Sequence, residues 1–196
     1  MDKKPLIVFC GLMGSGKTTL SDYYSKKIPK YSKIDRDEVR RILGIKVFDR
    51  KDSDRVNEYA YSKAREIIKN GKGVMLDSAY YSKQNREKVY KIAKEFDIPV
   101  LVIECVCKPE TAIRRISSRP EKDELHKPTN NPKVYHEYSK MWESPLIDLG
   151  SSENNHVSFI RINTEENKIE KIKIREMGII KEILNYIEEG MNYFRN

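Results

Sequence analysis

An α/β fold is predicted by this sequence: a parallel five-stranded sheet in the order 2-3-1-4-5, helices on both faces, and a small lid. Three observations predict it. Short apolar runs alternate along the chain with stretches of helical spacing, which is the βαβ rhythm of a parallel sheet. The first apolar run passes directly into a glycine-rich loop and then a helical pattern. The second and third runs end in acidic residues, at the carboxyl edge where ligands of such sheets bind.

Each element can be justified in order. Leu6 to Cys10 are five consecutive apolar residues, the mark of a strand buried on both faces. A helix follows from about Lys17 to Lys27 and stops before Pro29. Tyr31 to Asp35 make a second strand and Asp37 to Leu43 a helical stretch. Residues 45 to 53 connect to a helix over Asp54 to Asn70, which Asn70-Gly71 terminates. Gly73 to Asp77 are the third strand, and Lys83 to Phe96 a helix. Pro99 to Cys107 are the fourth and most apolar strand, followed by a helix from Pro109 to Arg119 that Pro120 closes. Val157 to Asn163 alternate as a fifth strand. From Lys168 to about residue 189, Ile172, Ile179, Ile183 and Ile187 recur near helical spacing and predict a C-terminal helix.

A chain of 196 residues suits one domain, 1–196, with its lid near 115–135. With 35% charged and 38% hydrophobic residues it has the composition of a globular protein rather than a disordered or membrane one. Its apolar runs are too short to span a bilayer, and no signal-peptide pattern opens the sequence. Three cysteines without metal spacing imply a reducing compartment, hence a cytoplasmic location. The net charge of +8 is compatible with a phosphate-rich partner, RNA or DNA, but acidic residues interleave with the basic ones and the charge is not concentrated.

The chemistry is carried by Gly11 to Thr18, GLMGSGKT, which fits G-x-x-x-x-G-K-[ST] at every position. Such a loop needs glycines so that its backbone can wrap a polyphosphate with N–H groups inward, and it feeds a helix whose positive end faces the same phosphates. Gly11, Met13, Gly14, Ser15, Gly16, Lys17, Thr18 and Thr19 are the nucleotide-binding candidates. Lys17 can reach the β- and γ-phosphates, and Thr18 can ligate Mg²⁺ together with Asp77 at the end of the third strand. The expected cofactors are therefore ATP and Mg²⁺. Asp35 and Asp37 both stand where a carboxylate could take the proton of an acceptor hydroxyl, although Asp37 could also simply cap its helix. Arg115 and Arg119 share a helix face leading into the polar loop 120–132, as a charge-neutralising lid requires. His126, alone in that loop, carries no expectation.

Taken together, GLMGSGKTTL, IDRDEVR, VMLDSAYYSKQNREKVYKIAKEF and IRRISSRP resemble the P-loop kinases of the polynucleotide-kinase and zeta-toxin group, above all phage-type polynucleotide 5′-kinase domains and small kinases of that group. The resemblance covers residues 5 to 145. It implies Asp37 as general base, Arg40 as a ligand of the acceptor phosphate, Arg119 as the lid arginine with Arg115 one turn earlier, and Asp77 as the strand-end carboxylate. Arg86, inside the third shared stretch, joins Arg40 and Asp77 as an acceptor-binding candidate. The chain departs from the group's pattern at Asp35, Glu38 and Ser78. DSAYY and YSKMWESP are also similar to seryl-tRNA kinases. The expected activity is transfer of the ATP γ-phosphate to a hydroxyl, first of all an RNA or DNA 5′-hydroxyl. The alternatives are a small-molecule or seryl-tRNA kinase, or a switch that hydrolyses nucleotide without an acceptor.

Overall fold

Leu6–Cys10, apolar at every position, becomes the middle of the sheet, as burial on both faces requires. In the computed structural model, which describes residues 3–47, 49–120, 124–126, 129–175 and 177–195, this strand, β1, is wholly buried. It is followed by α1 (Lys17–Lys27), β2 (Tyr31–Asp35), α2 (Arg36–Ile42), α3 (Ser53–Lys69), β3 (Gly73–Asp77), α4 (Lys83–Glu95), β4 (Val100–Val106) and α5 (Pro109–Ser117). The remainder contributes α6 (Pro132–Lys140), β5 (Val157–Asn163), β6 (Lys168–Lys173) and α7 (Met177–Arg195). The strand order is β2-β3-β1-β4-β5-β6. The first five are parallel, with Phe9 opposite both Asp77 and Ile103, and Asp35 opposite Asp77.

Alternation along the strands sends side chains to two cores. Leu6, Val8, Cys10, Val74, Leu76, Val100 and Val102 meet Val56, Ala60 and Ala64 of α3 and Val89, Tyr90 and Ala93 of α4. Ile7, Phe9, Met75, Leu101 and Ile103 meet Leu20 and Tyr24 of α1 and Ile180, Ile183 and Ile187 of α7. Tyr24 Oη donates to the Ile187 carbonyl at 3.1 Å, and Gly190 lets the two helices close, since a Cβ there would lie 2.5 Å from that hydroxyl.

The C-terminal helix starts later than its apolar spacing suggests. Residues 168–173 form a sixth strand, antiparallel to β5, with Ile160 opposite Ile172 and Ile162 opposite Ile169. The turn between them decides this: the Asn163 side chain accepts from the Glu165 and Glu166 amides at 3.0 and 3.1 Å, and Asn167 takes a positive φ. Ile172 therefore pairs in the sheet, Ile183 and Ile187 pack from α7, and the Ile179 side chain lies outside the described residues. The α6 helix, unanticipated in the sequence, is started by Asn131, whose carboxamide accepts from the Lys133 amide at 2.9 Å, and by Pro132 in its first turn. Residues 121–123 and 127–128 of the expected lid lie outside the described residues.

The fold also claims a residue expected at the acceptor. Arg86 is 0% exposed and donates to Asp148 through Nε and Nη2 at 2.6 and 3.0 Å, with Nη1 on the Tyr80 carbonyl at 2.9 Å. Tyr90 Oη completes the group, donating to Asp148 at 2.7 Å. Its helix turns this face toward the segment after α6, so the arginine is a core ion-pair partner and not an acceptor ligand. Asp148→Ala, which strands that guanidinium in the interior, should cost about 3–5 kcal/mol in a urea unfolding curve. A loss below about 1 kcal/mol would mean that Arg86 reaches water once its partner is gone.

Candidate functional site

Between β1 and α1 the chain turns back on itself within six residues, and only glycines fit two of the closest approaches. A Cβ at Gly11 would sit 2.4 Å from the Cys105 carbonyl oxygen, and one at Gly14, where φ is +76°, 2.5 Å from that of Ala112. Behind the loop, Thr164 Oγ1 donates to the Ser15 carbonyl at 2.8 Å. Arg115 reaches the Gly14 carbonyl at 3.2 Å and Thr164 Oγ1 at 2.9 Å. The loop is thus braced from α5 and from the end of β5 and holds its curve without a ligand's help. Gly16 precedes α1, whose first turn contains no acidic residue, so the positive end of the helix is left for an anion. Ser15 Oγ is buried with no hydrogen-bond partner. An anion-shaped cradle with an unsatisfied hydroxyl fits a polyphosphate. Thr18 and Asp77, both oxygen donors, fit a hard cation such as Mg²⁺.

A cavity of about 850 Å³ opens beside this loop. Leu12, Met13, Lys17 and Thr18 line it from the loop side, and Asp77, Ser78 and Ala79 from the end of β3. The start of α2 contributes Asp35, Arg36, Asp37 and Arg40, and the far wall carries Arg50, Tyr81, Arg119, His126 and Tyr138. Lys17, Asp35, Asp37, Arg40, Asp77 and Arg119 therefore meet in one space. Thr19 and Arg115 do not line it.

The two aspartates of α2 divide their work. Asp35 is the helix cap: its Oδ1 accepts from the Asp37 amide at 2.8 Å, and its Oδ2 lies 3.3 Å from Lys33 Nζ. Asp37, spared from capping, projects into the cavity. Its Oδ1 accepts from Arg40 at 2.7 Å and its Oδ2 lies 2.8 Å from His126 Nε2. Burial alone would raise this carboxyl, but His126, Arg40 and Lys17 outweigh burial and hold it well below the usual carboxylate range. Asp77 goes the other way: burial pushes it up, with Lys17, the Ser21 hydroxyl at 2.6 Å and Lys33 opposing. The deep acid is thus poised to gain from a cation, while the outer one is fully ionised.

Several cavity residues gave no signal in the sequence. Arg36 sits in the IDRDEVR turn and donates to Ser78 Oγ at 3.1 Å. Arg50 lies 4.7 Å over the Tyr138 ring, and Tyr81 meets that ring edge-on at 5.5 Å. His126 stands 89 residues from its aspartate. Nothing local marks such pairings, and only the IDRDEVR turn could have drawn attention to Arg36.

No helix among the described residues is long and apolar enough to cross a membrane, and no cluster of three or more His, Cys, Asp or Glu side chains suits a metal. No curated protein matches the sequence significantly. Among solved structures, a chain of the Pnkp1/Rnl/Hen1 RNA repair complex matches with a TM-score of 0.62 at 17% identity, covering 72% of this chain. The present chain spans only 44% of that one. Kti12 from Chaetomium thermophilum in complex with ADP-AlF3 matches with a TM-score of 0.60 at 21% identity, over 93% of this chain and 99% of the other. A sugar kinase from Janibacter sp. matches with a TM-score of 0.59 at 13% identity, over 94% and 95%. These likenesses are of fold. The AAA domain profile (AAA_33) matches residues 6–138, from the first residue of β1 to the Tyr138 wall of the cavity, and the chain belongs to that family as a P-loop kinase-like domain.

Proposed function

We propose that the protein is an ATP-dependent phosphotransferase whose acceptor is a hydroxyl, with a polynucleotide 5′-hydroxyl as first choice. The observation that carries this reading is the one cavity lined both by Lys17 and Thr18 and by an ionised, uncapped Asp37 of α2. A hydrolytic switch needs only the first half. An aspartate kept ionised by Arg40 and His126, within the space where an acceptor would lie, has work to do on that acceptor.

In this reaction the acceptor oxygen forms a bond to the γ-phosphorus while the bond from that phosphorus to the β–γ bridging oxygen breaks. The hydroxyl proton passes to an oxygen of Asp37, and ADP leaves. Lys17 and Arg119 face the charge that spreads over the transferred group. Mg²⁺, held through Thr18 and Asp77, would supply further charge neutralisation. Arg115 braces the loop from behind, which keeps the backbone amides aimed inward. Arg40, with Arg36 and Arg50 on the cavity wall, offers guanidinium groups to an anionic acceptor, and Tyr81 and Tyr138 offer flat apolar surface. These features, the net charge of +8 and the fold shared with a chain of an RNA repair complex support the polynucleotide choice. Three free cysteines fit a cytoplasmic enzyme.

The test is incubation with Mg²⁺ and γ-labelled ATP against 5′-hydroxyl RNA and DNA oligomers, seryl-tRNA, nucleosides, sugars and an aminoglycoside. Label in an oligomer, absent with Lys17→Ala, supports the reading. Label only in a small molecule keeps the transfer and discards the polynucleotide. Label released as phosphate at a rate no acceptor changes replaces the kinase by a nucleotide-hydrolysing switch.

A further inference from the structure

Among the described carboxylates that line the cavity, Asp37 has both oxygens engaged by cationic or titratable side chains. Arg40 reaches Oδ1 from the next turn of the same helix, an ordinary i,i+3 pair. His126 is different. It comes from the segment between α5 and α6, arrives at 2.8 Å, and is only 18% exposed. Its backbone is held in turn, since its carbonyl accepts from the Thr129 amide at 2.8 Å and from the Thr129 hydroxyl at 2.9 Å. A carboxylate held ionised has no proton to give, so the hydrogen of this contact lies on Nε2. Neutral imidazole and imidazolium both donate from that nitrogen, and the contact therefore persists across neutral pH.

We infer that His126 is a positioning residue for phosphoryl transfer, acting through Asp37 by fixing the carboxylate's rotation and covering its outer oxygen. This role rests on the transfer reading. Geometry supports it in two ways. A carboxylate offers about four lone-pair sites, and Arg40 and His126 occupy one on each oxygen, which leaves the remaining lobes for an acceptor hydroxyl. A carboxylate held from one side only would turn about its Cβ–Cγ bond, and misplacement of a base by a fraction of an ångström is costly in rate. Leu125, buried beside His126, ties the same segment to the interior, so the imidazole is delivered from an anchored point.

The substitutions distinguish this from a merely structural part. Glutamine places an amide N–H near the position of Nε2, whereas alanine removes the donor. With γ-labelled ATP and a 5′-hydroxyl oligonucleotide, His126→Ala should lower kcat roughly 10- to 100-fold with KM for ATP unchanged, and His126→Gln should recover most of that loss. The acid limb of the rate profile should also move to higher pH in His126→Ala. Among the described residues, the charged groups that chiefly favour ionisation of Asp37 are His126, Arg40 on its own helix and Lys17 from α1, and removing one of them raises the pH at which it fails.

A second measurement needs no acceptor. In spectra of protein labelled with ¹⁵N-histidine, which has three histidines to assign, the His126 Nε2 proton should exchange with water at least about 10-fold more slowly than in Asp37→Ala. Equal exchange in the two proteins overturns the inference. So does wild-type kcat in His126→Ala while the unaltered enzyme transfers label. A wild type that transfers label to no acceptor, with the slow proton present, overturns instead the transfer reading on which the role depends.

Discussion

Lys17→Ala should reduce phosphoryl transfer by on the order of 10³-fold or more. Lys17 is the lysine of the P-loop that lines the cavity, and its hydrogen bond of 3.2 Å to the Leu12 carbonyl keeps it curled over the loop. Lys33, the nearest substitute, is spoken for by Asp22 and Asp35. Removing a cation from a site where negative charge collects on the transferred group leaves more of that charge uncompensated, whatever loop amides, Arg119 and a bound Mg²⁺ would supply. The fold should be largely untouched, because Lys17 is only partly buried and makes no salt bridge among the described residues. Parallel unfolding curves with transfer lost are the expected pair of measurements. A rate within about tenfold of wild type would remove Lys17 from charge stabilisation.

Asp37→Asn should cost roughly 10²–10⁴-fold in rate while ATP binding stays near wild type. The amide is isosteric and can still accept from Arg40, so the substitution removes basicity without opening a hole. ATP affinity is expected to hold because the charge that meets the phosphates comes from Lys17 and the loop amides, which this substitution leaves in place. Rates and nucleotide titrations on the same preparation check both halves, and unchanged transfer would hand the role of base to Asp35. The pH dependence has a defined sign. The Asp37 carboxyl is depressed in the folded protein, so it stays ionised as the pH falls through the usual aspartate range, and transfer should not lose its base until more acid conditions. The same depression adds stability that is present above the ordinary aspartate value and is lost as pH falls through the folded one.

Legibility from sequence followed the range of the interactions. β1, β3 and β4 could be read because largely apolar runs leave a strand no other place than the sheet's interior, and the strand-end acids Asp35 of β2 and Asp77 of β3 followed from the parallel order. The loop Gly11 to Thr18 was legible because its constraint is local: backbone turning and helix start lie within eight residues. Lys168–Lys173 misled because its two isoleucines, three residues apart, fit helical spacing, and the choice was made outside it, by the Asn163 turn and pairing with β5. Arg86 misled for the opposite reason. Nothing in its own helix reveals that Asp148 waits 62 residues away. His126 belongs to the same class, a side chain whose significance lies wholly in a partner that the topology brings.

The strand order has a consequence for how the protein is made. β1 leaves the ribosome before both of its neighbours in the sheet, β3 and β4, which come later in the chain. The nascent phosphate loop therefore has no walls until Val106 has emerged, and its rear brace at Thr164 appears only with the end of β5. At bacterial or eukaryotic rates of about 5–20 residues per second, the chain spends several seconds with a nucleotide motif it cannot yet use. Completion of the phosphate loop is thus a late event of synthesis, although the loop's own residues precede its walls in the chain.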